Sequence, residues 1–433
     1  DAGNYTLSLP ASILADIFRK AITGTVIADD KTYDGTTTAT GTVNLTGVIA
    51  GDEVTASALL AFADANAGND RTVTISGGSL GGADAGNYTL SLPASTLANI
   101  FQKTITGTVV ANDKIYDGTT SAIGTVNLSG VIAGDQVTAS ALLAFADANA
   151  GSDKTVTISG GSLGGADAGN YTLSLPASTL ADIFRKAITG SVVTNDKTYD
   201  GTTDTTGTVS LNGVIAGDEV TASAIFAFVD ANAGSGKTVT VSGGALSGAD
   251  SANYTLTLAA STLADIFQKA LTGTVVANDK TYDGTTAATG TISLSGVVAG
   301  DQVTASAILA FADANAGSDK IVTISGGSLT GADAGNYALS LPASVLADIF
   351  QKAITGIVVA DDKTYDGTTG ASGSITLDGL IAGDEVAASA ILAFADANAG
   401  SDKTVSITGG SLGGADAGNY TLSLPPTTLV DIF

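Results

Sequence analysis

Tyr33-Asp34-Gly35 offers a phenol and a carboxylate beside a glycine, and the same triplet returns at Tyr116, Tyr199, Tyr282 and Tyr365. One reading is a ligand contact presented five times. The reading the residue types favour is a turn. Asp34 bonds the local backbone, Gly35 takes a positive φ, and Tyr33 packs with its hydroxyl tied to a neighbouring strand. A second candidate is "DANAGND", with Asp64, Asn66, Gly68 and Asp70 spaced like part of a calcium loop. It lacks the acidic and glycine pattern of a full loop start and the later bidentate Glu, so a tight Asx turn explains it as well. Calcium stays a candidate cofactor there. Unit three would bind it worst, because Gly236 replaces the last Asp.

The remaining constellations read as structure. Asp52 and Glu53 are paired carboxylates of the kind general acid–base catalysis uses, but neighbours on a strand face opposite ways, which predicts a solvated turn. "GGSLGGADAG" is Gly-rich, yet no Lys comes after it and no helix opens there, so a phosphate loop is not expected. Lys31 and Asn87 have the side chains of an intramolecular isopeptide bond, with nothing in the sequence to bring them together. No catalytic, cofactor-binding or metal-ligating residue is assigned, and no enzyme is expected. Repeating a site five times adds nothing to a reaction that needs one assembled centre.

Composition narrows the chemistry further. The chain contains no Cys, His, Met or Trp. Disulfides, thiolate or imidazole metal sites and Ser-His-Asp or Cys-His catalysis are therefore excluded. The missing easily oxidised sulfur side chains suit a long-lived extracellular protein. Formal charge is −25, from 42 acidic and 17 basic residues. Such a surface repels phosphate backbones and anionic lipid, so no nucleic-acid partner is expected. No apolar run reaches the roughly 20 residues of a membrane helix.

The elements that must position these residues repeat with a single period. The triplet recurs every 83 residues, and so do the tyrosines of "NYTL" (once "NYAL"), Tyr5, Tyr88, Tyr171, Tyr254, Tyr337 and Tyr420. The predicted division is residues 1–18 as the C-terminal strands of a preceding repeat, then repeats at 19–101, 102–184, 185–267, 268–350 and 351–433. A period of 83 exceeds the usual solenoid range of roughly 20 to 50 residues, and it is large enough for a small domain with its own core.

Within residues 19–101, "GTVNLTG", "RTVTIS" and "NYTLSL" alternate apolar and polar residues, and Gly and Asx clusters punctuate them. The pattern predicts about seven short strands in an antiparallel sandwich. "VTASALLAFADA" has helical propensity but strand alternation, and "PASTLANIF" reads as helix or as an extended crossing; both are assigned to strands. No linker composition separates one unit from the next. The expected architecture is all-β: a tandem array of small Ig-like antiparallel β-sandwich domains forming an elongated rod.

The motifs "DKTYDGTT", "GVIAGDEV" and "FADANAGNDRTVTISGGSLGGADAGNYTL" together resemble the YDG domain of bacterial secreted exoproteins, a family similar to the Ig-like repeats of large surface adhesins. The resemblance covers every unit. Unit three departs from it most, with Gly236, "DSANY" and Ala259 in place of Asp, "DAGNY" and Pro. The resemblance implies stalk or spacer modules on the bacterial cell surface or in a secreted biofilm matrix, and supplies no catalytic residues. The expected function is a structural stalk or fibre segment. Its expected partners are other copies of the array or neighbouring domains of a longer protein. Two rival expectations are a self-assembling filament, sheath or surface-layer subunit, complemented through residues 1–18, and a weak multivalent glycan binder.

Overall fold

Each repeat spends its alternating segments on two sheets. The computed structural model describes residues 2–433. In the first repeat the strands are β1 Lys20–Ala28, β2 Lys31–Thr32, β3 Thr38–Ala39, β4 Gly41–Thr46, β5 Thr55–Phe62, β6 Gly68–Gly81, β7 Tyr88–Ser91 and β8 Ser95–Phe101. Both ambiguous stretches are strands, β5 and β8. In β1 the buried positions are Ile22, Gly24, Val26 and Ala28, every second residue, as a half-buried strand requires. Helical structure among the described residues is confined to three-residue 3-10 turns such as Ala85–Asn87.

The smaller sheet has the order β4-β1-β7 and the larger β2-β8-β6-β5-β3. β6 runs antiparallel to both β5 and β8. The expectation of a purely antiparallel sandwich is corrected at two places: β1 pairs with β7 in parallel, Lys20 opposite Tyr88, and β2 pairs with β8 in parallel, Lys31 opposite Ile100. Alternation in a sequence fixes which face a residue occupies but carries no information on strand direction. The second and fourth repeats reproduce the same two sheets. In the fifth, the equivalents of β2 and β3 shrink to single bridges, Lys363 to Ile432 and Gly370 to Ala393.

A larger correction concerns the cores. One cluster joins Ala28, Tyr33, Phe62, Val73, Ala98 and Ile100 of the first repeat to Ile105 and Tyr171 of the second. Three further clusters are built the same way from consecutive repeats. Among the described residues, only the cluster of Ala360, Phe394, Val405 and Ile432 draws on a single repeat. The interior expected of each repeat alone is therefore completed by two buried side chains of its successor. An 83-residue chain without disulfides buries a small share of its surface, and each large apolar side chain received from a neighbour adds roughly 1.5–3 kcal/mol.

The chain divides into two compact units. One holds residues 1–189, 211–221 and 246–257, and the other residues 190–210, 222–245 and 258–433. The division falls inside the third repeat rather than between repeats, because the interiors straddle the sequence period.

Residues 5–18 were expected as strands and form none. Tyr5, Leu7, Leu9, Leu14, Ile17 and Phe18 are exposed. In a complete repeat the equivalent strands β7 and β8 pair with β1 and β6, which come earlier in the chain. Residues 5–18 thus have the sequence of strands but are not paired as strands here.

Candidate functional site at the repeat junctions

The Tyr-Asp-Gly triplet begins as a local turn. Tyr33 N–H donates to the Phe101 carbonyl at 2.8 Å, which anchors the turn on the end of β8. One oxygen of Asp34 accepts from the Thr36 N–H and hydroxyl, both at 2.8 Å, and from Lys31 Nζ at 2.7 Å. Lys31 also donates to the carbonyls of Thr36 and Thr38 and lies 5.6 Å from the centre of the Phe62 ring. Burial raises the Asp34 pKa, but the Lys31 and Thr36 donors outweigh it and bring it down to about 2. Gly35 has φ +77°. A Cβ there would sit 3.3 Å from Ile132 Cγ2 of the next repeat, so the glycine both closes the turn and admits the neighbour.

The turn aims Tyr33 out of its own repeat. Its hydroxyl donates to Asp135 Oδ2, 102 residues away, at 2.9 Å. The same carboxylate oxygen accepts the Tyr171 hydroxyl, which in turn accepts the Ile132 N–H at 3.0 Å. The two tyrosine rings meet edge to face, 5.4 Å between centroids. The result is a clasp: one phenol from the leading repeat, and one phenol and one carboxylate from its successor. Burial, the Asp135 bond and nearby negative charge push the Tyr33 hydroxyl up to about 12.

Three more junctions repeat this geometry. Tyr116 and Tyr254 share Asp218, Tyr199 and Tyr337 share Asp301, and Tyr282 and Tyr420 share Asp384. A second strut accompanies each. Asn170 Oδ1 accepts the Ala67 N–H of the leading repeat at 2.9 Å, and Asn253, Asn336 and Asn419 accept from Ala150, Ala233 and Ala316. Those four asparagines are buried, whereas Asn87 is exposed. A third contact, Gln102 Nε2 to the Gly169 carbonyl at 2.8 Å, recurs at Gln268 and Gln351. Arg185 stands at that position in the third repeat.

In the first and fifth repeats the clasp is incomplete at Tyr88 and at Tyr365. Tyr88 donates to Asp52 without a second tyrosine. Tyr365 is 58% exposed, against 5% for Tyr33.

The other sequence candidates take structural roles. Asp64 is occupied by the Asn66 N–H at 2.9 Å and an ion pair with Arg71, and the equivalent aspartates pair with Lys154, Lys237, Lys320 and Lys403. Asp70 sits at a β-bulge with φ +50° and donates its N–H to Asn99. Asp153, Asp319 and Asp402 share that left-handed conformation, and Gly236 has φ +59°. The substitution in repeat three thus places the residue that tolerates this backbone most easily. No group of three or more acidic side chains among the described residues is arranged to hold a metal ion. Lys31 is engaged in its own turn, and Asn87 is exposed. Asp52 and Glu53 lie at the turn ahead of β5, as expected, with the Asp52 N–H donating to the Ile49 carbonyl at 3.1 Å, but the carboxylate is not simply solvated: at every internal junction its equivalent is the clasp carboxylate. Within the Gly-rich stretch, Asp84 accepts the Glu53 N–H at 2.9 Å and closes a hairpin.

The partner of Tyr33 escaped sequence reasoning, although one signal marked it. Asp52, Asp135, Asp218, Asp301 and Asp384 stay aspartate in every repeat while the next residue alternates between Glu and Gln. A carboxylate that never varies beside one that does is a carboxylate with a partner.

A family model described as YDG domain matches residues 19–97, 102–180, 185–263, 268–345 and 351–429. No curated protein matches the chain. Among solved structures, the chain is similar to Drosophila N-cadherin EC1-4, with 12% identity, 76% of this chain and 100% of that one covered, and a TM-score of 0.17. It is also similar to domains 4-9 of the surface layer protein SbsC, with 13% identity, 90% and 78% covered, and a TM-score of 0.16. At these scores neither likeness carries an argument.

Proposed function

Because the chain belongs to the YDG domain family over all five repeats, we propose that it is a structural stalk or fibre segment of a large bacterial extracellular surface or matrix protein, and that it catalyses nothing. The observation that carries this reading is the clasp at four successive junctions. At those four junctions the triplet tyrosine of the leading repeat, and the "NYTL" tyrosine and its asparagine in the successor, are engaged in holding the two repeats together, while the triplet's Asp and Gly form the turn that aims the tyrosine. A ligand site would leave such groups facing solvent or a pocket. Repetition then supplies length, the single-residue connections supply stiffness, and the net charge of −25 keeps neighbouring molecules apart.

Solution scattering on arrays of three, four and five repeats tests it. The expected result is a maximum dimension that grows by the same increment with each repeat. A dimension that stays constant as repeats are added overturns the stalk.

A further inference from the structure

One edge of the smaller sheet is open, and the second repeat shows it with a neighbouring repeat on either side. Strand Gly124–Ser129 is an outer member of its three-stranded sheet. It pairs with Lys103–Ala111, from Gly124 opposite Ala111 to Ser129 opposite Thr106. The Asn112 N–H donates to the Ile123 carbonyl at 2.8 Å, which fixes the phase of the ladder. In an antiparallel pair every second residue bonds across, so Thr125, Asn127 and Ser129 bond to Lys103–Ala111. The N–H and C=O groups of Gly124, Val126 and Leu128 point the other way, off the sheet.

Beside this edge the two sheets diverge. Ser121–Ala122 pairs with Ala144 and Leu143 at the margin of the larger sheet, and the chain then crosses to the smaller sheet at Gly124. The wedge is a groove of about 590 Å³, lined by Val126 and Leu128 on one side and Ala139, Ala141 and Leu143 on the other. No charged side chain lines it.

The edge is also undefended. Sheets commonly guard their edges with short strands, lysine or proline. The larger sheet follows this rule, since its outer strands, Lys114–Ile115 and Ser121–Ala122, have two residues each. The six-residue strand "GTVNLS" contains neither lysine nor proline, and the same holds for its equivalents "GTVNLT", "GTVSLN", "GTISLS" and "GSITLD". In a chain with 42 acidic residues, only the last of these strands carries one, Asp378.

We propose that this edge pairs with the same edge of a second copy of the chain, antiparallel, with Val126 facing its counterpart and Gly124 facing Leu128. Charge selects the occupant. The net charge of −25 opposes contact between copies in general, but two of these strands bring no like charges together. A cationic segment of another protein finds no counter-charge in the groove. Hydrogen bonding agrees. The three residues with outward N–H and C=O groups meet three residues in the same state, which gives about six bonds at two per facing pair. Facing residues share one side of a sheet, so the incoming valine and leucine lie over the groove. Two three-stranded sheets become one continuous sheet. The contact uses the same surface on both partners, so it closes as a pair. It goes beyond the stalk reading and does not depend on it.

The test is sedimentation of the full chain over a range of concentration and salt. Mass above the monomer's 42.2 kDa is expected as concentration rises, and more readily at high salt, which screens the like charges. Lysine in place of Asn127 and of its equivalents Asn44, Ser210, Ser293 and Thr376, all exposed, should leave the melting temperature unchanged and keep the chain monomeric. Those lysines make the chain less acidic, so general repulsion cannot account for the loss. Register is read separately. The pairing sets Thr125 against Asn127 of the second copy in a non-hydrogen-bonded pair, where side chains approach most closely. The chain has no cysteine of its own. A chain with cysteine at Thr125 and its equivalents, mixed with one carrying cysteine at Asn127 and its equivalents, should cross-link under oxidation faster than either chain alone. Association that survives the lysines, or equal cross-linking in mixed and separate chains, would overturn the proposal. A monomer at every concentration would also overturn it, and would leave the edge to a strand from another protein.

Discussion

A carboxylate that receives two phenol protons is a demanding arrangement, and the clasp is therefore the place where single atoms count. Tyr33→Phe keeps the ring and its edge-to-face contact but removes one bond to a charged acceptor, a loss of about 1.5 kcal/mol. Tyr365→Phe makes the same chemical change on an exposed side chain and should cost nothing measurable. Urea denaturation of the two variants makes the comparison, and equal effects would mean that the clasp contributes nothing to stability. Glycine offers a parallel pair. Gly35 and Gly367 have φ +77° and +75°, but only Gly35 faces Ile132. Substitution by alanine should cost both positions about 1–2 kcal/mol of backbone strain. The Gly35→Ala variant should lose more than the Gly367→Ala variant, by the contact with the next repeat. Much of this turn was legible in the sequence. Asp34 bonding to backbone, positive φ at Gly35 and a tethered Tyr33 hydroxyl are all dictated by residue type. The acceptor was not, because turn chemistry is local and Asp135 lies 102 residues from Tyr33, beyond the repeat in which the turn is read.

At the scale of elements, alternation located the long strands and the missing linkers foretold a tight connection. Only Gln102 separates β8, ending at Phe101, from the next strand, β9 Lys103–Ala111. Alternation left open strand direction and partner choice, hence the two parallel pairings. It also left open where an inward-facing residue finds its neighbours: Ile105 has the pattern of an ordinary core position in the second repeat, yet packs with Phe62 and Val73 of the first. The short connection holds Ile105 and Tyr171 in place against the first repeat. Inserting four Gly and Ser residues after Gln102 should lower the melting temperature and split one transition into two, since the shared core would then pay loop entropy to assemble. Calorimetry that finds a single unchanged transition would show that the repeats fold independently of their connection.

Across the whole molecule the clasps titrate together. Tyr33, Tyr116, Tyr199 and Tyr282 are each pushed up to about 12 from an ordinary 10.0 by burial and by the carboxylate they bond. The folded state holds these protons more tightly than the unfolded one. The stabilisation is complete below pH 10 and is lost as pH rises from 10 toward 12. On the acid side, Asp34, Asp117, Asp200 and Asp366 are brought down to about 2. Their contribution is complete above the ordinary carboxylate value of 3.8 and is lost as pH falls from there toward 2. Denaturation midpoints measured from about pH 2 to about pH 12 should show a plateau with a fall at each end. The alkaline fall should steepen with the number of intact clasps, and weaken when Tyr33, Tyr116, Tyr199 and Tyr282 are all changed to Phe.

The interiors and the sequence period are out of phase, and this bears on heredity. Wherever a recombination event cuts the coding sequence, adding or removing 83 codons removes the tail of one interior together with the head of the next, and the severed parts match. No crossover position is privileged and none creates a defective seam. A lineage can therefore lengthen or shorten this protein in whole steps without having to invent a new boundary.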